Sequence, residues 1–262
     1  MSRAETGSPD ATRARSSSLE TAALLRFTSG VADDIDLLAS LHDREPTRAI
    51  VEAVRRAPIE DQLALRLRSD EAHNALSAFA AMVSAIPADV DDSVMDDFAA
   101  GYADVYLRHT FRAAPTESVW MTEDGLERQA PMFRVRDWYR RNGLVVADTA
   151  GRPDDHLVLQ LRFVAHLLRE KGKGEGLGEA ARFMDAHLLR WVDTFAARLV
   201  HAGAPDWYAA LALLTACYLD ELRLHLASMT GLTVVEPDSK GRPERSTEPP
   251  DAAYIPGVAP SW

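Results

Sequence analysis

Apolar side chains recur every three to four residues along most of this chain, which is the period of an amphipathic α-helix. The most apolar stretch carries two such stripes, Leu157, Leu161, Val164 and Leu168 on one side and Leu159, Phe163 and Leu167 on the other. A helix that is apolar around most of its circumference is typical of a buried position. Proline and aspartate both favour the first turn of a helix. Pro153-Asp154-Asp155-His156 therefore predicts the start of a central buried helix.

The same period predicts helices on both sides of this central one. They cover 17–42 in one or two pieces, short segments after Pro46 and after Pro58 (with Leu63, Leu65 and Leu67), a segment capped by Ser69, then 92–106, 131–142, 179–201 and 205–229. Residues 108–130 have no period and predict a loop, and the glycines of 171–178 predict a flexible connection between helices because they lack the spacing of a phosphate loop. No stretch alternates as a sheet strand does. The predicted fold class is all-α, a single compact bundle of roughly nine to eleven helices.

Both ends of the chain differ in composition from the rest. Residues 1–16 are polar and poor in aromatic side chains, and residues 232–262 are rich in proline. Such segments cannot bury enough apolar surface to fold. We expect a disordered tail over 1–16, one helical domain over 17–231 and a second disordered tail over 232–262.

Composition narrows the classes of function. The net charge of −11 disfavours nucleic acid as a partner, because binding to phosphates gains affinity from a basic face. A single cysteine excludes an intrachain disulfide and a multi-thiolate metal site. No apolar run of membrane-spanning length is present, and the first residues lack the apolar core of a signal peptide. We therefore expect a cytoplasmic protein without stable membrane insertion.

The sequence carries little that favours catalysis. It lacks HExxH, the paired Glu-x-x-His motifs of a di-iron bundle and the GxSxG elbow. Asp155 and His156 are neighbours on a predicted helix, so their side chains point about 100° apart and neither readily orients the other as an acid–base couple. We predict no enzymatic activity, no metal site and no cofactor.

Two features have both a structural and a functional interpretation. The aspartates between 89 and 97 suit a helix N-terminus, or they form an acidic lip for a ligand that carries arginine. Trp120 is either a lid over the core or one wall of a peptide pocket, since aromatic side chains supply large contact areas.

In order along the chain, several short motifs resemble the TorD/DmsD/NarJ family of redox-enzyme maturation chaperones. The motifs lie between residues 95 and 220 and are Tyr102-Ala-Asp-Val105-Tyr106, Pro115, Ser118-Val-Trp120, Tyr139 with Gly143, Pro153-Asp-Asp155-His156 with Leu159, Leu161 and Phe163, Phe183, His187 to Trp191, Phe195, and Tyr208 with Leu211. The chain departs from the family pattern at Val105-Tyr106, Gln160 and Val164, and its first ninety residues match poorly.

The resemblance implies an all-α cytoplasmic chaperone for a molybdoenzyme. Its partner would be the precursor of a molybdopterin-containing oxidoreductase catalytic subunit, bound through the N-terminal twin-arginine signal segment until the cofactor is inserted. The family's peptide-binding role is carried to Trp120, Gly143, Pro153, Asp155 and His156, which match by motif. An aspartate would pair with an arginine of the peptide, and an apolar groove would take the remainder.

Two alternatives remain open at this point. The chain could be an all-α enzyme, either a hydrolase or a metal-dependent oxidase, or a helical adaptor that meets partners through its proline-rich tail. We also expect either a monomer or a dimer that exchanges helices across the glycine-rich connection.

Overall fold

The computed structural model describes residues 9–147, 151–170 and 175–234, with the backbone alone for 9–17. These residues form eleven α-helices with one π-helical and one 3-10 segment among them. The α-helices are α1 Pro9–Asp43, α2 Arg48–Arg56, α3 Ile59–Gln62, α4 Asp70–Ala85, α5 Asp92–Tyr102, α6 Glu117–Met121, α7 Ala130–Arg141, α8 Leu157–Glu170, α9 Glu175–Ala186, α10 Val192–His201 and α11 Asp206–Thr230. Within these ranges there is no β-strand, only one isolated antiparallel bridge between Thr116 and His156. The predicted all-α class is confirmed.

Two helices form the centre of the bundle. Helix α8 packs along α1 and α9, and α11 packs against α4, α9 and α10. Both apolar stripes of α8 are covered, because Leu157, Leu161, Phe163 and Leu167 are all at most 2% exposed. The prediction of a buried central helix is therefore confirmed.

The central helix begins later than the sequence predicted. Helix α8 starts at Leu157, and Pro153 lies in a turn before it whose carbonyl accepts from the His156 N–H at 3.1 Å. His156 caps the helix, since its ring Nδ1 accepts a hydrogen bond from the Val158 N–H at 3.2 Å. Asp154 and Asp155, which the sequence assigned to the first helical turn, lie in this preceding turn instead. Their carboxyl groups accept hydrogen bonds from neighbouring segments.

The segment after α3 was predicted as helix and is extended instead. Leu63, Leu65 and Leu67 are buried and alternate with more exposed neighbours, a period of two rather than of 3.6. The buried carboxylate of Asp34 accepts hydrogen bonds from the backbone of residues 64 and 65, at 2.9 and 3.0 Å. Glu221 accepts from the backbone of residues 68 and 69. The hydrogen bonds of this segment are thus made to side chains of α1 and α11.

Two further helix predictions need correction. Predicted helix 179–201 is divided into α9 and α10 by a break at His187, where φ is −130° and ψ is −84°. Helix α9 begins at Glu175, so part of the predicted flexible connection is its first turn, while 171–174 lie outside the described residues.

The predicted tails are only partly described. Helix α1 begins at Pro9, so residues 9–16 are helical in place of the predicted disorder, and residues 1–8 lie outside the described range. At the other end, Gly231 closes α11 with a φ of 72°, as the sequence predicted. The next residue, Leu232, packs on the core, and Arg223 donates hydrogen bonds to the carbonyls of residues 232 and 233. Residues 235–262 are not described.

Candidate functional site

The Asp155-His156 motif lies where the start of α8 meets the start of α6. The Leu157 N–H donates to the Pro115 carbonyl at 2.8 Å, and the Glu117 N–H donates to the Asp155 carbonyl at 3.1 Å. The two segments are therefore joined backbone to backbone, which explains the isolated bridge between them. We call this arrangement the α6–α8 junction.

Asp155 is fully buried at the junction. Its Oδ2 accepts hydrogen bonds from the Ser118 N–H at 2.7 Å and from the Ser118 hydroxyl at 2.5 Å. Burial raises the pKa of this carboxyl, and the hydrogen bonds from Ser118 oppose the rise by favouring the ionised form. Oδ2 is thus committed to α6, while Oδ1 is buried without a hydrogen-bond partner among the described residues, and the fully buried side chain is closed to a peptide guanidinium in this conformation.

Ser118 in turn forms hydrogen bonds to the loop that follows α6. Its hydroxyl donates to Asp155 and accepts from the Gln129 N–H at 3.1 Å. Its carbonyl accepts from the Thr122 hydroxyl at 2.8 Å. Both ends of the 122–129 segment are therefore tied to the residue that Asp155 holds.

His156 is 7% exposed and neutral. Burial, together with the positive charge of Arg152, holds its pKa well below the ordinary histidine value. Because its Nδ1 accepts from a backbone N–H, the proton of the neutral ring resides on Nε2. The ring therefore caps α8 through Nδ1.

Trp120 lies in the short helix α6, where the sequence had predicted a loop. It is 5% exposed, its indole N–H donates to the Ala114 carbonyl at 2.8 Å, and its ring meets Phe195 edge to face with centroids 6.4 Å apart. Of the two interpretations of this tryptophan, the lid over the core is the one that the geometry fits.

Gly143 lies at the end of α7. Its hydrogen bond is made within that helix and not to the Asp155 carboxylate. It has a φ of 72°, and its N–H donates to the Arg140 carbonyl at 3.0 Å, as expected of a glycine that closes a helix. The chain then passes through Leu144–Ala147, which line an apolar groove of about 360 Å³ with Tyr139, Leu159, Arg162, Phe163 and His166. We call this the apolar groove.

A buried polar network that the sequence did not reveal lies beneath the junction. Glu117 is fully buried and accepts from the Gln160 side-chain amide at 2.9 Å and from His187 Nδ1 at 3.0 Å. Asp154 accepts from Arg136 Nε at 2.5 Å. Glu117 and His187 belong to different motifs some seventy residues apart, so only the fold brings them together. No cluster of His, Cys, Asp and Glu within the described ranges is arranged to hold a metal ion.

Beside α6 a cavity of about 510 Å³ opens to the surface, and we call it the acidic cleft. It is lined by His109, Arg112 and Ala114 from one loop, by Val119 of α6 and by residues 123–127. Three of its lining residues are acidic, Glu123, Asp124 and Glu127, and within the described part of the chain none of them forms an ion pair. Leu126 adds an apolar side chain that is 58% exposed.

Unusual backbone conformations surround the acidic cleft. His109, Arg112 and Arg128 have φ values of 50°, 52° and 60°, and among the described residues they are the non-glycine residues with positive φ. Each costs about 1–3 kcal/mol relative to ordinary backbone. The π-helical segment Ala103–Leu107 leads into the same loop. Strained backbone and π-helical turns both concentrate at functional sites, so they independently favour the cleft as one.

The described residues thus form a helical bundle that carries an acidic cleft on its surface. Residues 64–197, about half of the chain, match the family model described as nitrate reductase delta subunit. The chain belongs to this family, the TorD/NarJ family of molybdoenzyme maturation chaperones, which are not enzymes.

Individual relatives agree with the family match. The protein is 30% identical over 133 residues to the chaperone protein TorD of Vibrio cholerae, a match that covers 48% of this chain and 60% of that relative. It is 26% identical over 193 residues to the chaperone protein TorD of Vibrio vulnificus, covering 70% of this chain and 89% of the relative. A TorD of Shewanella pealeana is 26% identical over 132 residues, covering 47% and 58%. Within the described residues, no helix has the length and apolar character required to span a membrane.

Proposed function

We propose that this protein is a system-specific chaperone that binds the N-terminal twin-arginine segment of a molybdoenzyme catalytic subunit. It holds the precursor in the cytoplasm until the cofactor has been inserted, and releases it for export afterwards. Membership of the maturation-chaperone family supports the class of client. The observation that carries the proposal is the acidic cleft, whose three carboxylates and one arginine, Arg112, leave a net charge of −2 to meet two adjacent arginines.

The chemistry of the cleft suits such a segment. A guanidinium group donates two parallel hydrogen bonds to a carboxylate, so Glu123, Asp124 and Glu127 provide more than enough acceptors for two arginines. Val119 and the exposed side chain of Leu126 offer apolar contact to the residues next to the arginine pair. The apolar groove after Gly143 contains the highly exposed Val145. We assign this groove to the hydrophobic stretch that follows the arginine pair in the signal segment.

In this proposal the five motif residues act mainly by positioning. Asp155 holds Ser118, and through it the loop that carries the cleft's carboxylates. Trp120 fixes α6 on the core, while Pro153 and His156 shape the turn that starts α8. Gly143 provides the left-handed turn that leads into the apolar groove. Direct contact between Asp155 and the peptide would require the junction to open.

Two other expectations stay predictions. The exchange of helices in a dimer concerns residues 171–174, and an adaptor role concerns 235–262, both outside the described ranges. Family membership argues against the enzyme alternative.

Calorimetry with a synthetic twin-arginine signal segment tests the proposal. The Glu123→Gln/Glu127→Gln variant should bind the segment about tenfold more weakly, because two exposed charge-assisted contacts worth about 0.5–1 kcal/mol each are removed. The matched control is Glu20→Gln/Asp61→Asn, which changes net charge equally at exposed positions that do not line the cleft. Equal affinity of all three proteins would remove the acidic cleft from the proposed function.

A further inference from the structure

A second cavity lies on another face of the bundle, where α4, α5 and the start of α11 meet. It measures about 310 Å³, and its walls include Met82, Ile86, Val94, Phe98, Trp207 and Tyr208. We call it the Trp207 pocket. It shares no lining residue with the acidic cleft or with the apolar groove.

Trp207 gives the pocket a rigid aromatic wall. Its ring contacts Phe98 edge to face with centroids 5.2 Å apart, and Phe79 on the core side with centroids 5.8 Å apart. The residue is 3% exposed, and its indole N–H has no acceptor within the described residues. A buried donor without a partner is unfavourable, and tryptophan N–H groups usually have one. The indole N–H of Trp207 is therefore both buried and without an acceptor among the described residues.

Two exposed carboxylates, Asp97 and Asp206, also line the pocket, and neither has a partner within the described residues. Two other aspartates at the start of α5 already have partners, whereas the exposed Asp96 next to Asp97 has none among the described residues. Asp91 caps the helix by accepting from the Val94 N–H, and Asp92 pairs with Arg48. Asp97 and Asp206 thus leave uncompensated negative charge beside an apolar cavity. This charge repels anionic lipid surfaces and nucleic acids, and it attracts a cationic peptide.

We propose that the Trp207 pocket is a second peptide-docking site, which takes a bulky apolar side chain of a partner protein that has lysine or arginine next to it. The apolar side chain enters between Ile86, Val94 and Phe98, and the neighbouring cation meets Asp97 and Asp206. This site goes beyond the proposed function, because it is built from different helices and does not require the twin-arginine pair.

Fluorescence anisotropy on the full chain tests the proposal with a labelled peptide that contains a Phe-Leu pair followed by two arginines. Saturable binding is expected, and a peptide with two glutamates in place of the arginines should not bind. Asp97→Asn/Asp206→Asn should weaken binding about fivefold or more. Ala85→Trp, which fills the pocket from an exposed lining position without changing charge, should weaken it similarly. The Glu20→Gln/Asp61→Asn control should bind as the unaltered chain does.

The proposal and the proposed function fail in different ways. If the arginine peptide does not bind, or binds both pocket variants as tightly as the unaltered chain, the Trp207 pocket is not a docking site. If Glu123→Gln/Glu127→Gln reduces binding of this peptide while the pocket variants do not, all basic peptides bind in the acidic cleft. In that case the proposed function stands and the second site is rejected.

Discussion

At the scale of single residues, the Asp155-His156 pair illustrates how far the sequence could locate the site. The motif locates the central helix to within four residues of its start, but it did not reveal the junction with α6, which lies in a predicted loop. Its exposure was not predictable, because whether an aspartate faces a ligand or a neighbouring serine depends on which segment packs against it. The carboxylates of the acidic cleft, Glu123, Asp124 and Glu127, lie in a stretch without periodicity, where no sequence signal distinguishes them from ordinary loop residues.

A buried hydrogen-bond network around His42 predicts that the stability of the fold depends on pH. His42 is fully buried, and its ring contacts the Tyr106 hydroxyl at 2.5 Å and Thr215 Oγ1 at 2.9 Å. Thr215 donates its own proton to the Leu211 carbonyl, so it accepts from His42 Nε2–H, and His42 Nδ1 accepts from Tyr106. The neutral ring is therefore fully bonded, and burial lowers the pKa of His42 to about 3.

We expect His42 to destabilise the fold in acid. The unfolded chain protonates this histidine below its ordinary pKa of 6.5, whereas the folded chain does so only near 3, so the unfolded state binds more protons between these values. The stabilisation is fully present above pH 6.5 and is lost as pH falls, by about 1.4 kcal/mol per unit. Urea unfolding at pH 7.5 and 5.0 should show a smaller loss for His42→Gln than for the unaltered chain. An identical loss in both proteins would contradict this assignment.

At the scale of the elements, helices with a clear 3.6-residue period were predictable and the segments around 63–69 and 187 were not. Ser69 and Gly231 mark helix ends as the sequence indicated, because capping depends on local chemistry. The extended segment Leu63–Leu67 depends on carboxylates from α1 and α11, far away in sequence. The break at His187 adjoins its hydrogen bond to Glu117. Tertiary contacts accompany both the extended segment and the break at His187, and such contacts cannot be identified from a single sequence.

The junction between α6 and α8 provides a test at this scale. Asp155→Ala leaves the buried Ser118 N–H and hydroxyl without their acceptor, which should cost about 1–3 kcal/mol of folding free energy and loosen the 122–129 loop. Affinity for the twin-arginine segment should fall accordingly. Asp155→Asn retains an oxygen that accepts from the Ser118 N–H, so it should preserve most of the affinity if the residue acts by positioning.

Thermal unfolding and calorimetry on the two variants distinguish positioning from direct contact. Were Asp155 the direct partner of a peptide arginine, Asp155→Asn would lose as much affinity as Asp155→Ala despite a smaller loss of stability. Asp61→Ala, at an exposed position of α3, serves as the control and should change neither quantity.

At the scale of the whole molecule, the bundle carries two cavities with unpaired carboxylates that share no lining residue. If a basic segment is the partner, as we propose, the net charge of −11 should accelerate its approach and the local carboxylates should decide where it binds. The sequence predicted the class of fold and the family, both of which are confirmed, while the positive charge of the partner stays a prediction. It did not predict the cavities, because they arise between loops and helices whose relative placement only the folded chain defines.

Charge reversal at two glutamates of the acidic cleft tests the central claim most directly. Calorimetry would compare the unaltered chain and Glu123→Lys/Glu127→Lys, each with the twin-arginine segment and with a segment whose two arginines are replaced by glutamates. We predict that the reversed chain loses the arginine segment and gains the glutamate segment, since the same contacts form with opposite signs. Undiminished binding of the arginine segment by the reversed chain would show that the cleft does not hold the client.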